Sequence, residues 1–407
     1  MGITTGETLR ISWSRDRAFY VFSEQQLRQN ISDLRNAFTK YYKNFSIAYS
    51  YKTNYLRRIC ETAKEEGCLA EVVSPWEMRY AEEVGYRPGP QIVYNGLIPD
   101  RWKPYYAARG VLVNIDSMDE FERLEKDVAC LGVKHMVGIG IRLNFDIGND
   151  LISRFGVDTS GEDLKNLLYA IDRSGRFFVN GFHCHIGCSR DPKYWEAKIT
   201  ALIDIAREHD VKYIDVGGGM YGVMPEELAR QFCGYPGNFD AYAGIIGKKM
   251  KEAYPEEKAK LVIEPGTALV GNTMDVVAEV TGIKEVRGKT YITVNCCSNQ
   301  LGVICDVKDI PVDVVPMSRG QSADSPQDVE DAIIAGDTCL EFDYLRKGFS
   351  GRIAVGDKLV FSNVGAYSIG ASRQFISPRL AVIDAETGQE LRSEEQFLDM
   401  FGLYLAK

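Results

Sequence analysis

A (β/α)8 barrel carrying a second, mainly β domain is the architecture that this 407-residue sequence predicts. Two observations lead to it. Eight short apolar runs alternate with helix-period segments between residues 45 and 263, which is the pattern of a parallel sheet with helices outside it. The seventh and eighth runs are each followed by a glycine-bearing loop, Gly217-Gly218-Gly219 and Glu264-Pro265-Gly266, where a barrel of this kind keeps its anion-binding loops. Three successive glycines cost folding entropy, so bare backbone amides, which can cradle an anion, are wanted there. A doubly wound open sheet is the structural alternative.

The runs fall at 45–51, 69–73, 91–94, 111–115, 137–143, 178–183, 211–216 and 261–263. Helix starts lie between them. Ser74-Pro75-Trp76-Glu77 offers an N-cap, a proline at the first helical position and a capping-box glutamate, and Ser117 with Glu120 repeats the box. Gly67 and Gly85 stand where helices end. Ahead of the barrel, 18–22 reads as a strand, followed by a helix capped by Ser23, with Gln26 in box position and a stripe of Leu27, Ile31, Leu34 and Phe38. After Gly266 the alternation stops. Runs 274–280, 290–294, 312–315 and 358–361 are strand-like, and 318–327, with Gly320 and Pro326, reads as an exposed polar loop. The expected division is an N-terminal segment 1–24 that contributes to the β-domain, a barrel over 25–271, and a C-terminal β-domain over 272–407.

Net charge is −9, from 48 basic and 57 acidic residues, which argues against nucleic acid as the main partner. Residues 1–17 lack an apolar signal core, and no run is long enough to span a membrane. The ten cysteines show no disulfide spacing, and the expectation is reduced thiols in a cytoplasmic protein. His183-Cys184-His185 ends the sixth run, and such a pair can hold a metal, but a metal-dependent hydrolase would need further ligands at other strand ends, and His135 and His209 fall near strand starts at the opposite face, so no metal is expected.

Catalytic groups of a (β/α)8 barrel gather at the C-terminal ends of its strands. There the sequence places Lys52, Arg142, His185, Gly217 to Gly219 and Glu264. A lysine for an aldehyde, an imidazole to stack on a ring, a carboxylate for a pyridine nitrogen and a phosphate cradle together suggest pyridoxal 5'-phosphate. Taken singly, each has an ordinary reading; Cys339, for instance, reads as a buried small apolar residue.

The chain resembles the fold type III pyridoxal phosphate decarboxylases, the diaminopimelate and ornithine decarboxylase group with an alanine-racemase-like barrel. The resemblance runs over residues 18–375. It is carried by Ala48-Tyr49-Ser50-Tyr51-Lys52-Thr53-Asn54, Arg154-Phe155-Gly156, His183-Cys184-His185-Ile186-Gly187, Asp215 to Gly219, Glu264-Pro265-Gly266, Gly336-Asp337-Thr338-Cys339 with Asp343, and Gly365-Ala366-Tyr367. It implies Lys52 as the Schiff-base lysine and Cys339 as the second catalytic residue. His185, Cys188, Gly217, Gly218, Gly219, Glu264, Pro265, Gly266, Thr267 and Tyr367 would hold the cofactor, and Leu340, Glu341, Asp343 and Tyr367 would meet the amino-acid substrate. It also implies a homodimer in which Cys339 completes the partner's site. Four departures stand out. Cys188 replaces a serine, Thr267 an arginine and Leu340 an acid, and an Arg-Pro element is missing from 295–316. These suggest a non-standard or conjugated amino acid and weak action on meso-diaminopimelate. A racemase or epimerase on the same barrel, a non-catalytic pyridoxal phosphate-binding protein and a sugar-phosphate isomerase are the alternatives. Cys339 with Asp343 favours the decarboxylase, the long β-domain speaks against the non-catalytic protein, and the lysine–histidine–glutamate set against the isomerase.

Overall fold

A computed structural model describes Arg15, residues 17–317 and residues 325–405. The segment expected to lack a signal core lies outside the described residues apart from Arg15 and Arg17, as does most of the expected 318–327 loop; Gln327 itself opens a strand.

The first strand, β1 (Phe19–Phe22), is set apart from the barrel. The barrel follows as β2 (Phe45–Ser50), β3 (Leu69–Val72), β4 (Ile92–Tyr94), β5 (Leu112–Ile115), β6 (Val137–Asn144), a two-residue annex β7 (Val157–Asp158), β8 (Phe177–His183), β9 (Tyr213–Asp215) and β10 (Lys260–Ile263). Every barrel pairing is parallel, β10 pairs with β2, and the β5–β6 pairing closes the ring. The closed barrel replaces the open-sheet alternative. Its strands are buried on both faces, as a parallel sheet under helices must be.

The helix starts behave as read, with one refinement. Ser74 Oγ accepts from Glu77 N at 3.1 Å and Ser117 Oγ from Glu120 N at 3.3 Å. The returning carboxylates overshoot the cap by one residue and take Val73 N at 2.6 Å and Asp116 N at 2.8 Å. Ser23 caps helix Glu24–Thr39 in the same way, but the Gln26 amide turns to Asn30 and leaves that box open. The four stripe residues of this helix are all buried.

The second domain is a nine-stranded sheet: β11 (Met274–Val286), β12 (Lys289–Val294), β13 (Val312–Val315), β14 (Gln327–Ala335), β15 (Tyr344–Ile353), β16 (Lys358–Phe361), β17 (Ala381–Asp384) and β18 (Glu390–Arg392), with β1 between β11 and β17. β1 runs antiparallel to β11 and parallel to β17. Four of these strands, β14, β15, β17 and β18, were not predicted. β14 and β15 alternate irregularly between exposed, half-buried and buried positions, so they lack a clean two-residue period. A helix, Phe397–Leu405, follows them with none of its residues buried.

Candidate active site

Parallel strands in near register bring side chains of equal height together at the barrel mouth. Ser50 pairs with Glu71, Arg142 with His183, and His183 with Asp215. Beneath the mouth, a buried polar ladder runs through the core. The Tyr213 hydroxyl donates to Asn114 Oδ1 at 2.7 Å, and Asn114 Nδ2 donates to Asn95 Oδ1 at 2.8 Å. Asn95 Nδ2 then spans two carboxylates, Glu264 Oε1 at 2.5 Å and Glu71 Oε1 at 3.1 Å. Glycines make room for it: a Cβ on Gly140 would lie 1.9 Å from Asn114 Oδ1, and one on Gly181 2.6 Å from the Tyr213 ring. Satisfied networks of this kind fix geometry in a low-dielectric interior.

At the top of the ladder sits Lys52, in the single turn that follows β2. Its Nζ donates to Glu71 Oε2 at 2.5 Å. Burial works against its charge, but Glu71 and Glu264 outweigh that and keep the amine above its ordinary range. Across the mouth, His185 receives a hydrogen bond on Nδ1 from Gly218 N at 3.1 Å, which places the ring proton on Nε2. Burial, with help from Lys52, pushes His185 well below the usual histidine range, so its ring is flat, neutral and fixed.

Two buried carboxylates, Asp215 and Glu264, divide one proton. Burial and then the neighbouring Glu264 push Asp215 well above the carboxylate range. For Glu264 burial also opposes ionisation, but His183, Lys52 and the proton on Asp215 hold it below that range. The structure thus keeps Glu264 ionised and Asp215 protonated. His183 Nε2 lies 3.4 Å from Glu264 Oε2. Donor atoms of His183, Asp215 and Glu264 lie within 4.8 Å of one another, a spacing that would also suit a cation; His185, the other half of the metal-type pair, is not in that group.

The loops above complete a cavity of about 120 Å³. Lys52, His185, Cys188, Gly218, Gly219, Glu264, Gly266, Thr267 and Tyr367 line it, and so does Arg190. Gly217 and Pro265 stand beside it in the same loops. Gly217 adopts φ +66°, and a Cβ there would lie 2.8 Å from Cys184 O; on Gly218 it would lie 2.3 Å from Glu264 O, and on Gly266 2.0 Å from Thr53 Oγ1. No side chain fits these positions. The Gly217 amide is spent on Asp215 Oδ1 at 2.8 Å and the Gly218 amide on His185 Nδ1, so Gly219 and Gly266 are the loop glycines whose backbone is left to face the cavity. Cys188 and Tyr367 sit in left-handed backbone, φ 56° and 55°, and Tyr367 N is tied to Thr53 O at 2.8 Å.

The remaining expected residues lie elsewhere in the chain. Cys339, Leu340 and Glu341 are exposed in the 336–343 hairpin between β14 and β15 and do not line this cavity. Cys339 is therefore not the buried apolar residue of its ordinary reading. Asp343 is buried and fully engaged: Oδ1 accepts from Ser298 N and Oγ, and Oδ2 from Thr338 N and Oγ1. It clasps the hairpin and has no oxygen left for a substrate amine. The guanidiniums of Arg154 and Arg142 both lie against the Phe155 ring, 4.0 and 4.5 Å from its centre. All ten cysteines are free thiols. Among the described residues no helix is long and apolar enough to cross a membrane.

Four residues of the site were missed at the sequence level: Glu71, Asn95, Arg190 and Lys198. Glu71 carried a readable signal, a charge inside an otherwise apolar run. Lys198, in helix Lys193–Ala206, is wholly buried without a hydrogen bond, 3.2 Å from the Trp195 ring centre, and burial lowers it to about 8. Its folded value is thus below its unfolded one. The cost of charging it is present in full below about pH 8 and disappears as pH rises through 10.5. Lys198→Met is expected to stabilise the protein by on the order of 3 kcal/mol at neutral pH, with the gain falling by about half near pH 9.5. Urea unfolding at the two pH values checks this; equal stabilisation at both contradicts it.

A lysine amine and an ionised carboxylate facing one cavity at a barrel mouth are the equipment of pyridoxal phosphate enzymes. The family comparison narrows the class. Residues 25–271 match the model for the pyridoxal-dependent decarboxylases, pyridoxal binding domain, and the chain belongs to that family. It is a pyridoxal phosphate-dependent amino-acid decarboxylase. Diaminopimelate decarboxylase of Methanothermobacter thermautotrophicus is 30% identical, over 94% of this chain and 90% of its own length. That of Aquifex aeolicus is 26% identical over 91% and 86%. In fold, the chain is similar to the crystal structure of Helicobacter pylori diaminopimelate decarboxylase complexed with L-lysine, TM-score 0.82 at 20% identity, covering 97% of this chain and 98% of that one. It is also similar to the Paramecium bursaria Chlorella virus arginine decarboxylase, TM-score 0.73 at 18% identity, covering 90% and 95%.

Proposed function

We propose that the chain removes the α-carboxylate of meso-diaminopimelate, with pyridoxal phosphate held at Lys52 and the site shared between two subunits. The observation that carries the cofactor reading is what shares one cavity with Lys52. Gly219 and Gly266 line it with bare backbone that would meet a phosphate, and the ionised Glu264 on the same cavity would pair with a protonated pyridine nitrogen. Bound pyridoxal phosphate supplies an aldehyde and an electron-poor ring that takes up the electron pair left by departing carbon dioxide. Everything else falls to this chain. Glu71 accepts the proton that Lys52 Nζ must lose before it can act as a nucleophile. Neutral His185 would stack on the cofactor ring without adding charge, Glu264 would keep the ring nitrogen protonated, and Tyr367 would help to hold the phosphate. Cys339 of a second copy returns a proton to the α-carbon; its exposure on a hairpin away from its own Lys52 supports a two-subunit site.

The names of the relatives, matched over nine-tenths of the chain, support diaminopimelate. A second reading, a conjugated amino acid, is favoured by Leu340 and Thr267, because an ammonium facing leucine would be buried without a partner. Glu341, exposed beside Leu340, is the acid left to meet such an amine. The test supplies pyridoxal phosphate-loaded enzyme with meso-diaminopimelate, lysine, ornithine, arginine and conjugates, and detects carbon dioxide and the amine by mass spectrometry. Efficient release from diaminopimelate is expected. Release from conjugates alone moves the assignment to the second reading, and loss of α-carbon chirality without carbon dioxide moves it to a racemase.

A further inference from the structure

The cavity contains a guanidinium that no part of the decarboxylation above uses. Arg190 lines it beside Gly219, Met220 and Thr267. Its contacts are long and weak: Nη1 reaches Met220 O at 3.5 Å and Nη2 reaches Thr267 Oγ1 at 3.4 Å. No carboxylate among the described residues pairs with it. Its neighbour Asp191 faces Lys193 instead, 3.4 Å away. The Tyr221 ring stands 5.8 Å off. The backbone below is firmly held, because the buried Tyr242 hydroxyl donates to Arg190 O at 2.5 Å and accepts from Tyr221 N at 3.1 Å. A half-buried guanidinium held on a rigid support, short of acceptors and next to an amide cradle is built to take an anion.

We infer that Arg190 is the cation that meets the cofactor's phosphate, standing in space where position 267 offers only a hydroxyl. The inference rests on the cofactor reading above and deepens it. Thr267 and Arg190 come from different loops, after β10 and β8, and converge on one point of the cavity. The other lysines nearby are committed elsewhere: Lys52 faces Glu71, and Lys198 is enclosed against Trp195.

The experiment titrates apoenzyme with pyridoxal phosphate and, separately, with pyridoxal, which lacks the phosphate, following cofactor absorbance and tryptophan fluorescence. Arg190→Gln is expected to weaken pyridoxal phosphate about 30-fold, the value of one charge-assisted contact, and to leave pyridoxal unchanged. Inorganic phosphate should compete with pyridoxal phosphate in the wild type and lose that effect in the variant. Adding Thr267→Arg to Arg190→Gln should restore most of the affinity, since the new cation returns to the same corner. Unchanged affinity for pyridoxal phosphate in Arg190→Gln overturns the assignment. Equal weakening of both ligands also overturns it, marking Arg190 as a support of the fold. A wild type that takes up neither ligand overturns the cofactor reading itself.

Discussion

Replacing Lys52 with alanine is expected to lower carbon dioxide release by at least about 10³-fold, because the tethered amine is lost and an amine from solution cannot match its effective concentration. Borohydride treatment of cofactor-loaded wild type should fix one cofactor mass to the chain, and peptide mapping should place it on residue 52. Lys52→Ala protein should carry none. A trapped adduct at another lysine in the variant contradicts the role. Some loss of stability is expected as well, because Glu71, the partner of Lys52, is almost wholly buried. Removing the lysine leaves Glu71 without its cation, so Lys52→Arg serves as a second inactive variant that keeps the charge.

Cys339→Ala is expected to cost about 10²- to 10⁴-fold, the range for losing a positioned proton donor. The more telling result comes from mixing. Lys52→Ala and Cys339→Ala proteins should each be nearly inactive alone, but each would supply what the other lacks. With random exchange, half the dimers are mixed and one of their two sites is intact, so about a quarter of wild-type activity should return. Recovery must track the rate of subunit exchange, measured with labelled chains. Exchange without recovery rules out the shared site.

How much of this was legible in the residue order depends on what kind of signal each residue leaves. Gly217 to Gly219 announce themselves, since a run of three glycines has few uses other than close approach of backbone. The Ser74–Glu77 and Ser117–Glu120 starts are local and chemical, so they survive into the structure. Glu71 and Asn95 gave less. Their meaning lies in partners tens to nearly two hundred residues away, which only the closed ring of strands brings near. Arg190 carries no motif of its own, and its lack of a countercharge becomes visible only when the neighbours are placed. In the second domain, β14 and β15 escaped because their pairing is interrupted by register shifts and few of their side chains are fully buried. Asp343 went the other way: its motif suggested a substrate contact, and the fold uses all of its oxygens internally.

β1 lies between β11 and β17, two strands that both follow the barrel in the chain. During synthesis it leaves the ribosome before any barrel strand, yet its parallel neighbour emerges roughly 360 residues later, an interval of about 20 to 70 s at ordinary elongation rates. For that time four very hydrophobic residues, Phe19-Tyr20-Val21-Phe22, have no complete sheet to join. A newborn chain that stalls between residues 280 and 380 therefore presents an open, sticky strand edge to any chaperone or sister chain nearby.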